Sequence, residues 1–210
     1  MNPRNERRRA LARLSLLVAG AAALPVCAQS RAPLVPTPAD AEGPFYPTRF
    51  PRDVDADLTR VGGSSSSARG TPLALSGRVL GADGLLLAGA RIELWQCDVN
   101  GRYHHVDGDP GERDEHFQGY GVVTSDAEGR YAFTTIRPVP YGGRPPHLHF
   151  KLAHRRAAPL TTQLYPRGES AERGFGFGLS SRDVRSRLEF AMTPAGAGLA
   201  AGYDFVLRTA

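Results

Sequence analysis

Beyond Thr71, apolar and polar residues alternate with a period of two through several short stretches that turn-forming residues separate. Leu73 to Leu80 is the first, closed by Ala82-Asp83-Gly84. In the second, Ala90 to Trp95, Glu93 stands between Ile92 and Leu94. Tyr120 to Thr124 and Arg130 to Thr134 follow, joined by Ser125-Asp126-Ala127-Glu128-Gly129, whose turn chemistry predicts a hairpin. His147 to Leu152 and Tyr203 to Leu207 supply further strands. Arg182 to Phe190 fits a short helix or an irregular excursion, and no long amphipathic helix interrupts the series. Many short strands with turns between them predict an all-β chain folded as a single β-sandwich, with long loops and little helix.

The N-terminal third reads differently. Arg7-Arg8-Arg9 precedes an apolar stretch from Leu14 to Leu24 that is too short to span a bilayer, and Val26-Cys27-Ala28 offers small residues for cleavage. Residues 1–28 are therefore expected to be a signal peptide, of twin-arginine or ordinary secretory type, and the protein to be exported to the periplasm or beyond. Residues 29–70 are Pro-, Ala- and Ser-rich and read as a linker and N-terminal extension without chemistry of their own. The sandwich is expected over 71–210.

Composition sharpens this division. With 41% hydrophobic residues, 24 Gly and 17 Pro, the chain can bury a core yet is heavily punctuated by turns. The formal charge of +5 invites a polyanion-binding reading. Five arginines against one glutamate in residues 1–28 carry most of it, however, and the rest is nearly neutral with Lys151 as its one lysine. A nucleic-acid partner is not expected, nor stable membrane insertion once the signal is removed. After cleavage only Cys97 remains, so no intrachain disulfide can form, and Cys97 reads as a small buried residue.

The candidate chemistry centres on Arg144-Pro145-Pro146-His147-Leu148-His149-Phe150. Residues two apart on a strand share a face, so His147 and His149 would present two imidazoles side by side while Leu148 and Phe150 turn to the core. Alone, this pattern fits a metal pair or two polar residues on an outer face. Tyr141 and Tyr103 add two phenols, which a trivalent cation stabilises as phenolates and which favour hard iron(III) over softer divalent ions; packing is their other common use.

Several ordered motifs then coincide: Glu42-Gly43-Pro44-Phe45-Tyr46-Pro47, Glu93-Leu94-Trp95-Gln96-Cys97-Asp98, Gly101-Arg102-Tyr103-His104-His105, Gly129-Arg130-Tyr131-Ala132-Phe133, Pro140-Tyr141, the segment from Arg144 to Phe150, and Thr162-Gln163-Leu164-Tyr165. In this order they resemble the intradiol ring-cleavage dioxygenases, especially the protocatechuate 3,4-dioxygenase-like group, over about residues 42–207. The resemblance implies a sandwich of transthyretin- or immunoglobulin-like topology and a non-haem Fe(III) held by Tyr103, Tyr141, His147 and His149. Tyr141 would be the ligand that leaves when the diol binds, and Tyr103 the phenolate that stays. Arg144 would be the cation over the activated ring and Gln163 a polar residue of the same pocket. The implied substrates are a catechol-type diol and O2, and the implied product is a muconate-type diacid.

One departure is visible: only Gly142-Gly143 separate Tyr141 from Arg144, which suggests a shallower, more open pocket. His104, His105, His116 and His154 match no ligand of the family and are expected at the surface or pocket rim. Homo-oligomerisation stays open. The competing reading is a non-catalytic transthyretin-like sandwich that binds a partner in the periplasm. It would have no need of Tyr103, Tyr141, His147 and His149 together with Arg144 and Gln163.

Overall fold

The computed structural model describes residues 32–62, 64–169 and 182–209, and the expected signal segment lies outside them. Ten strands and one short helix are present among the described residues, arranged as two sheets face to face. The first sheet is organised on β1 (Pro72–Gly81), with β4 (Arg130–Ile136) antiparallel along one edge. β9 (Gly198–Gly202) and β10 (Phe205–Leu207) lie parallel to successive parts of β1, and β8 (Met192–Ala195) closes the sheet against β9. The second sheet runs β3 (Tyr120–Thr124), β2 (Arg91–Trp95), β5 (Leu148–His154), β6 (Ala157–Pro166) and β7 (Glu189–Phe190).

Alternation selects the core. Leu73, Leu75 and Val79 of β1 and Phe133 of β4 face Ile92 and Leu94 of β2 and Leu148, Phe150 and Leu152 of β5, all at most 2% exposed. The opposite residues of β2 and β5, Glu93, Trp95 and His149, are also buried, because loops and the N-terminal segment cover the outer face of the second sheet. On that face the register aligns Tyr120 with Trp95, Trp95 with His149, and His149 with Gln163, so these four residues form one row across β3, β2, β5 and β6.

Two features differ from the sequence expectation. β3 and β4 do not form a hairpin: β3 pairs with β2 and β4 with β1, so the turn at 125–129 carries the chain from one sheet to the other. The turn itself is real, with the Gly129 amide donating to the Asp126 carbonyl and the Asp126 carboxylate accepting the Glu128 and Arg130 amides. Its flanking strands find longer partners elsewhere; Ser125 is drawn to the second sheet, its amide donating to the Ala90 carbonyl and its hydroxyl to that of Leu87. Second, residues 34–62, read as linker and extension, run along the sandwich. The Leu34 amide donates to the Ala82 carbonyl, the Thr37 amide to that of Val206, and the Leu58 amide to that of Thr134, and Leu58 is fully buried. The helix α1 (Arg182–Ser186) falls within the segment expected to be helical or irregular.

Between β9 and β10 the chain steps inward at Tyr203, whose amide donates to the Ser76 carbonyl. A Cβ on Gly77 would lie 1.8 Å from the Tyr203 carbonyl oxygen, so backbone must move to admit any side chain there. Gly77→Ala should lower stability by about 3 kcal/mol, seen as a lower urea midpoint with the slope unchanged.

Candidate metal centre and substrate cleft

The row on the outer face positions the first histidine. His149 is the second residue of β5, 1% exposed, and its ring stacks on Trp95 of the neighbouring strand at 4.9 Å and 12°. His147 lies one residue before β5, and its Nδ1–H donates to the Pro145 carbonyl at 2.7 Å. That bond fixes the tautomer: the proton is on Nδ1, and the Nε2 lone pair points into the site. The prolines before it favour extended backbone and bring that carbonyl within reach.

Four donor atoms then close a ring. His147 Nε2 is 3.1 Å from His149 Nε2, His149 Nε2 is 3.1 Å from Tyr103 Oη, Tyr103 Oη is 3.2 Å from Tyr141 Oη, and Tyr141 Oη is 3.3 Å from His147 Nε2. All four residues named from the sequence meet at one focus. Burial keeps them neutral: it pushes His147 down to about 3, with the Arg144 charge adding to the effect, and His149 well below the ordinary imidazole range. Burial likewise raises Tyr103 well above the ordinary phenol range, with Tyr141 adding to it, and raises Tyr141.

Neutral imidazoles with lone pairs aimed inward, beside buried phenols that only a nearby cation would hold as phenolates, are a donor set suited to a hard trivalent metal. The buried His149 Nδ1 has no hydrogen-bond partner among the described residues, so every polar contact of that ring is made through Nε2, which faces the other three donor atoms. No cluster of three or more His, Cys, Asp and Glu exists among the described residues. Half of this donor set is phenolic.

The two tyrosines are held differently. Tyr141 begins a two-glycine turn with φ of 52° at Gly142 and 78° at Gly143, closed by the Arg144 amide donating to the Tyr141 carbonyl at 2.8 Å. Two consecutive positive φ angles make a type I′ turn, which glycine enters without steric cost. The turn sets Tyr141 beside Arg144 on the wall of a cleft of about 730 Å³, which Ala41, Gly43, Phe45, Asn100 and Arg102 also line. Tyr103 lies behind it, only 2% exposed, under the ring of Phe45 stacked at 4.6 Å and 10°.

Arg144 and Gln163 are joined: Arg144 Nη2 donates to Gln163 Oε1 at 2.6 Å, and Gln163 Nε2 donates to the Ala41 carbonyl at 2.5 Å. The Tyr165 hydroxyl reaches Gln163 Oε1 at 3.1 Å and Asp40 Oδ2 at 3.0 Å. Arg144 Nε has no partner among the described residues.

The sequence reading did not assign roles to Phe45, Ala41, Asp40 and Tyr165, which belong to this site, and it set His104 at the surface or pocket rim. His104 is half-buried, and its Nε2–H donates to Asp98 Oδ2 at 2.9 Å. Cys97 is buried as expected, its thiol pushed up to about 12 by burial, with Asp98 beside it adding to the effect.

Comparison with known proteins places the chain. The family described as Dioxygenase matches residues 41–209. The protocatechuate 3,4-dioxygenase beta chain of Burkholderia cepacia is 34% identical over 183 residues, 80% of this chain and 78% of that protein. Catechol 1,2-dioxygenase 1 of Acinetobacter lwoffii is 32% identical over 151 residues, and the match spans 47% of its length. Among solved structures, the dioxygenase domain of a dioxygenase carbohydrate-binding protein fusion from Streptomyces sp. SirexAA-E superposes with a TM-score of 0.63 at 31% identity, covering 84% of this chain and all of that one. Catechol 1,2-dioxygenase from Acinetobacter sp. ADP1 shares the fold, with a TM-score of 0.60 at 23% identity. A match that runs from Ala41 to the end of the sandwich, with relatives named as dioxygenases of catechol-type diols, makes this chain a member of the intradiol ring-cleaving dioxygenases.

Proposed function

We propose that the enzyme opens a catechol-type ring with O2 between its two hydroxylated carbons, giving a muconate-type diacid, and that Tyr103, Tyr141, His147 and His149 hold the iron(III) this requires. The observation that carries the proposal is the closed ring of four donor atoms at 3.1 to 3.3 Å, opening to the cleft on the Tyr141 side. Bound there, iron(III) would supply the Lewis acidity that keeps phenols and diol as oxyanions and draws electron density from the ring.

The protein's own groups account for the rest. Tyr141 is the phenol at the cleft wall, so it is the one an entering diol meets. As a phenolate it takes a proton from one diol hydroxyl and withdraws as a neutral phenol, with the two-glycine turn as its hinge. Tyr103 cannot exchange in this way, because it is buried beneath Phe45. Arg144, steered by Gln163, holds a fixed positive charge at the cleft wall, where negative charge on the ring is stabilised as it reacts. Phe45 and the Tyr141 side of the cleft offer apolar surface to the ring. We further infer that the protein works outside the cytoplasm, a reading supported by the apolar segment behind Arg7-Arg8-Arg9.

The deciding experiment is a visible spectrum with iron quantification on the purified protein, repeated with a panel of catechols in air. A tyrosinate-to-iron band that shifts on catechol addition, with formation of a muconate-type product, is the expected result. A colourless protein that takes up no iron(III) on reconstitution would leave the binding-module reading instead.

Two substitutions separate the roles. His147→Ala should weaken iron binding at least ~100-fold, measured by competition with a chelator; full retention of iron would remove His147 from the ligand set. Arg144→Gln should leave iron content and colour intact while lowering kcat roughly 100-fold, measured by oxygen uptake.

A further inference from the structure

We propose that Asp98, working with Asp109, is the positioning residue that fixes Tyr103 in the iron site; this rests on Tyr103 being an iron ligand. Asp98 follows β2 by three residues, is fully buried, and saturates both carboxylate oxygens. Oδ1 accepts the amides of Asn100 at 2.8 Å and Arg102 at 3.0 Å. Oδ2 accepts the amide of Asp114 at 2.7 Å and Nε2–H of His104 at 2.9 Å. The backbone of Asp98 closes the same loop, its amide donating to the Arg102 carbonyl at 2.9 Å and its carbonyl accepting the Gly101 amide at 3.0 Å.

The next amide along, that of Tyr103 itself, donates to Asp109 Oδ2 at 2.7 Å, while Arg102 Nη1 holds Asp109 Oδ1 at 3.2 Å. Successive amides on the approach to Tyr103 are thus taken by two carboxylates from different parts of the chain. The residues on either side of the tyrosine, Arg102 and His104, are each tied to one of those carboxylates by their side chains. Beyond this loop and the flanking His104, the carboxylate holds only the Asp114 amide, which ties the 98–103 loop to the next segment of the chain. A core residue of that size would more cheaply be apolar, since a buried ionised group is tolerated only when its hydrogen bonds are satisfied. A loop this determined leaves the phenol oxygen little freedom, and a rigid ligand is what a metal site needs when its other phenol must leave and return.

The geometry also explains Gly101. Its φ is 75°, and a Cβ there would lie 2.9 Å from the Tyr141 Cβ, so the loop that carries one tyrosine passes directly against the other. A shift of the 98–103 loop would therefore move Tyr103 and press on Tyr141 together.

The test uses Asp98→Asn and Asp109→Asn in the full protein, with and without iron. An amide side chain cannot accept N–H donors at its nitrogen, so each change frees part of the loop while keeping its volume. In metal-free protein, hydrogen exchange should accelerate selectively at residues 100–103, and also at the Asp114 amide in the Asp98 variant. In iron-loaded protein, the tyrosinate charge-transfer band should shift or weaken per bound iron, and kcat should fall about 10- to 100-fold while KM stays within about threefold. Faster exchange spread over the whole sandwich, with an unchanged band per bound iron, would show a general stability role and overturn the proposal. So would wild-type exchange and spectrum in both variants. If Asp98→Asn does not fold, Asp109→Asn decides alone, because it releases only the Tyr103 amide and the Arg102 pair. If the wild-type protein takes up no iron, the functional reading fails, whereas the exchange experiment still reports whether the two carboxylates hold the loop.

Discussion

Two imidazoles and two phenols converge within hydrogen-bond distance of one another in a dry part of the protein, and the surrounding structure serves that convergence. Bringing four polar side chains out of water is unfavourable unless each finds a partner. Here the two phenol hydroxyls are the only donors within the ring, and the two Nε2 lone pairs face each other at 3.1 Å with no proton between them, an arrangement that a shared cation would relieve. The arrangement demands a rigid backing, and β5 supplies it. β5 is hydrogen-bonded on both edges, to β2 and to β6, and its inward face of Leu148, Phe150 and Leu152 is locked in the core. Trp95 then fixes the His149 ring from the adjacent strand. Core packing and ligand placement are in this sense one structural fact, because alternate residues of the same strand do each job.

Much of this was legible in the residue order, because period-two alternation is a local signal. The pairing of His147 and His149 on one face, with Leu148 and Phe150 on the other, follows from strand geometry and is what the structure shows. The missing strands explain themselves chemically. Apart from Thr193, β8 and β9 are built from Met, Pro, Ala, Gly and Leu, residues of weak β-preference; Pro194 is tolerated because β8 is an edge strand. β6 begins Ala157-Ala158-Pro159 and ends in Pro166, which masks the apolar positions between.

What could not be read locally was partnership. The turn from Ser125 to Gly129 has hairpin chemistry, yet its strands belong to different sheets, since β1 offers β4 a seven-residue register that β3 cannot match. The same limit hid the covering segment. Residues 34–62 lack periodicity because they run as irregular chain over a finished sandwich, bonded through backbone groups that carry no side-chain signature. Phe45 could have been suspected as one of two adjacent aromatics, with Tyr46, between Gly43-Pro44 and Pro47. Its stacking on Tyr103 is a long-range contact that a single sequence does not disclose. The pairing of His104 with Asp98 was hidden for a similar reason: the two are close in sequence, but the burial of that carboxylate depends on the loop reaching Asp114.

The asymmetry between the two tyrosines ties these observations to chemistry. Under the proposed function, a diol that binds in place of one phenol calls for one phenol that yields and one that does not. If both were rigid the diol would have no entry, and if both were free the metal would be lost with each turnover. The chain solves this with local backbone chemistry. Tyr141 is mounted on a turn of two glycines with open space where their Cβ atoms would be, although Tyr141 itself lies against Gly101 of the 98–103 loop. Tyr103 is mounted on a loop whose amides end in carboxylates and whose ring lies beneath Phe45. The short Gly142-Gly143 connection sets Tyr141 at the cleft wall, where an entering diol would meet it, while Tyr103 stays buried beneath Phe45.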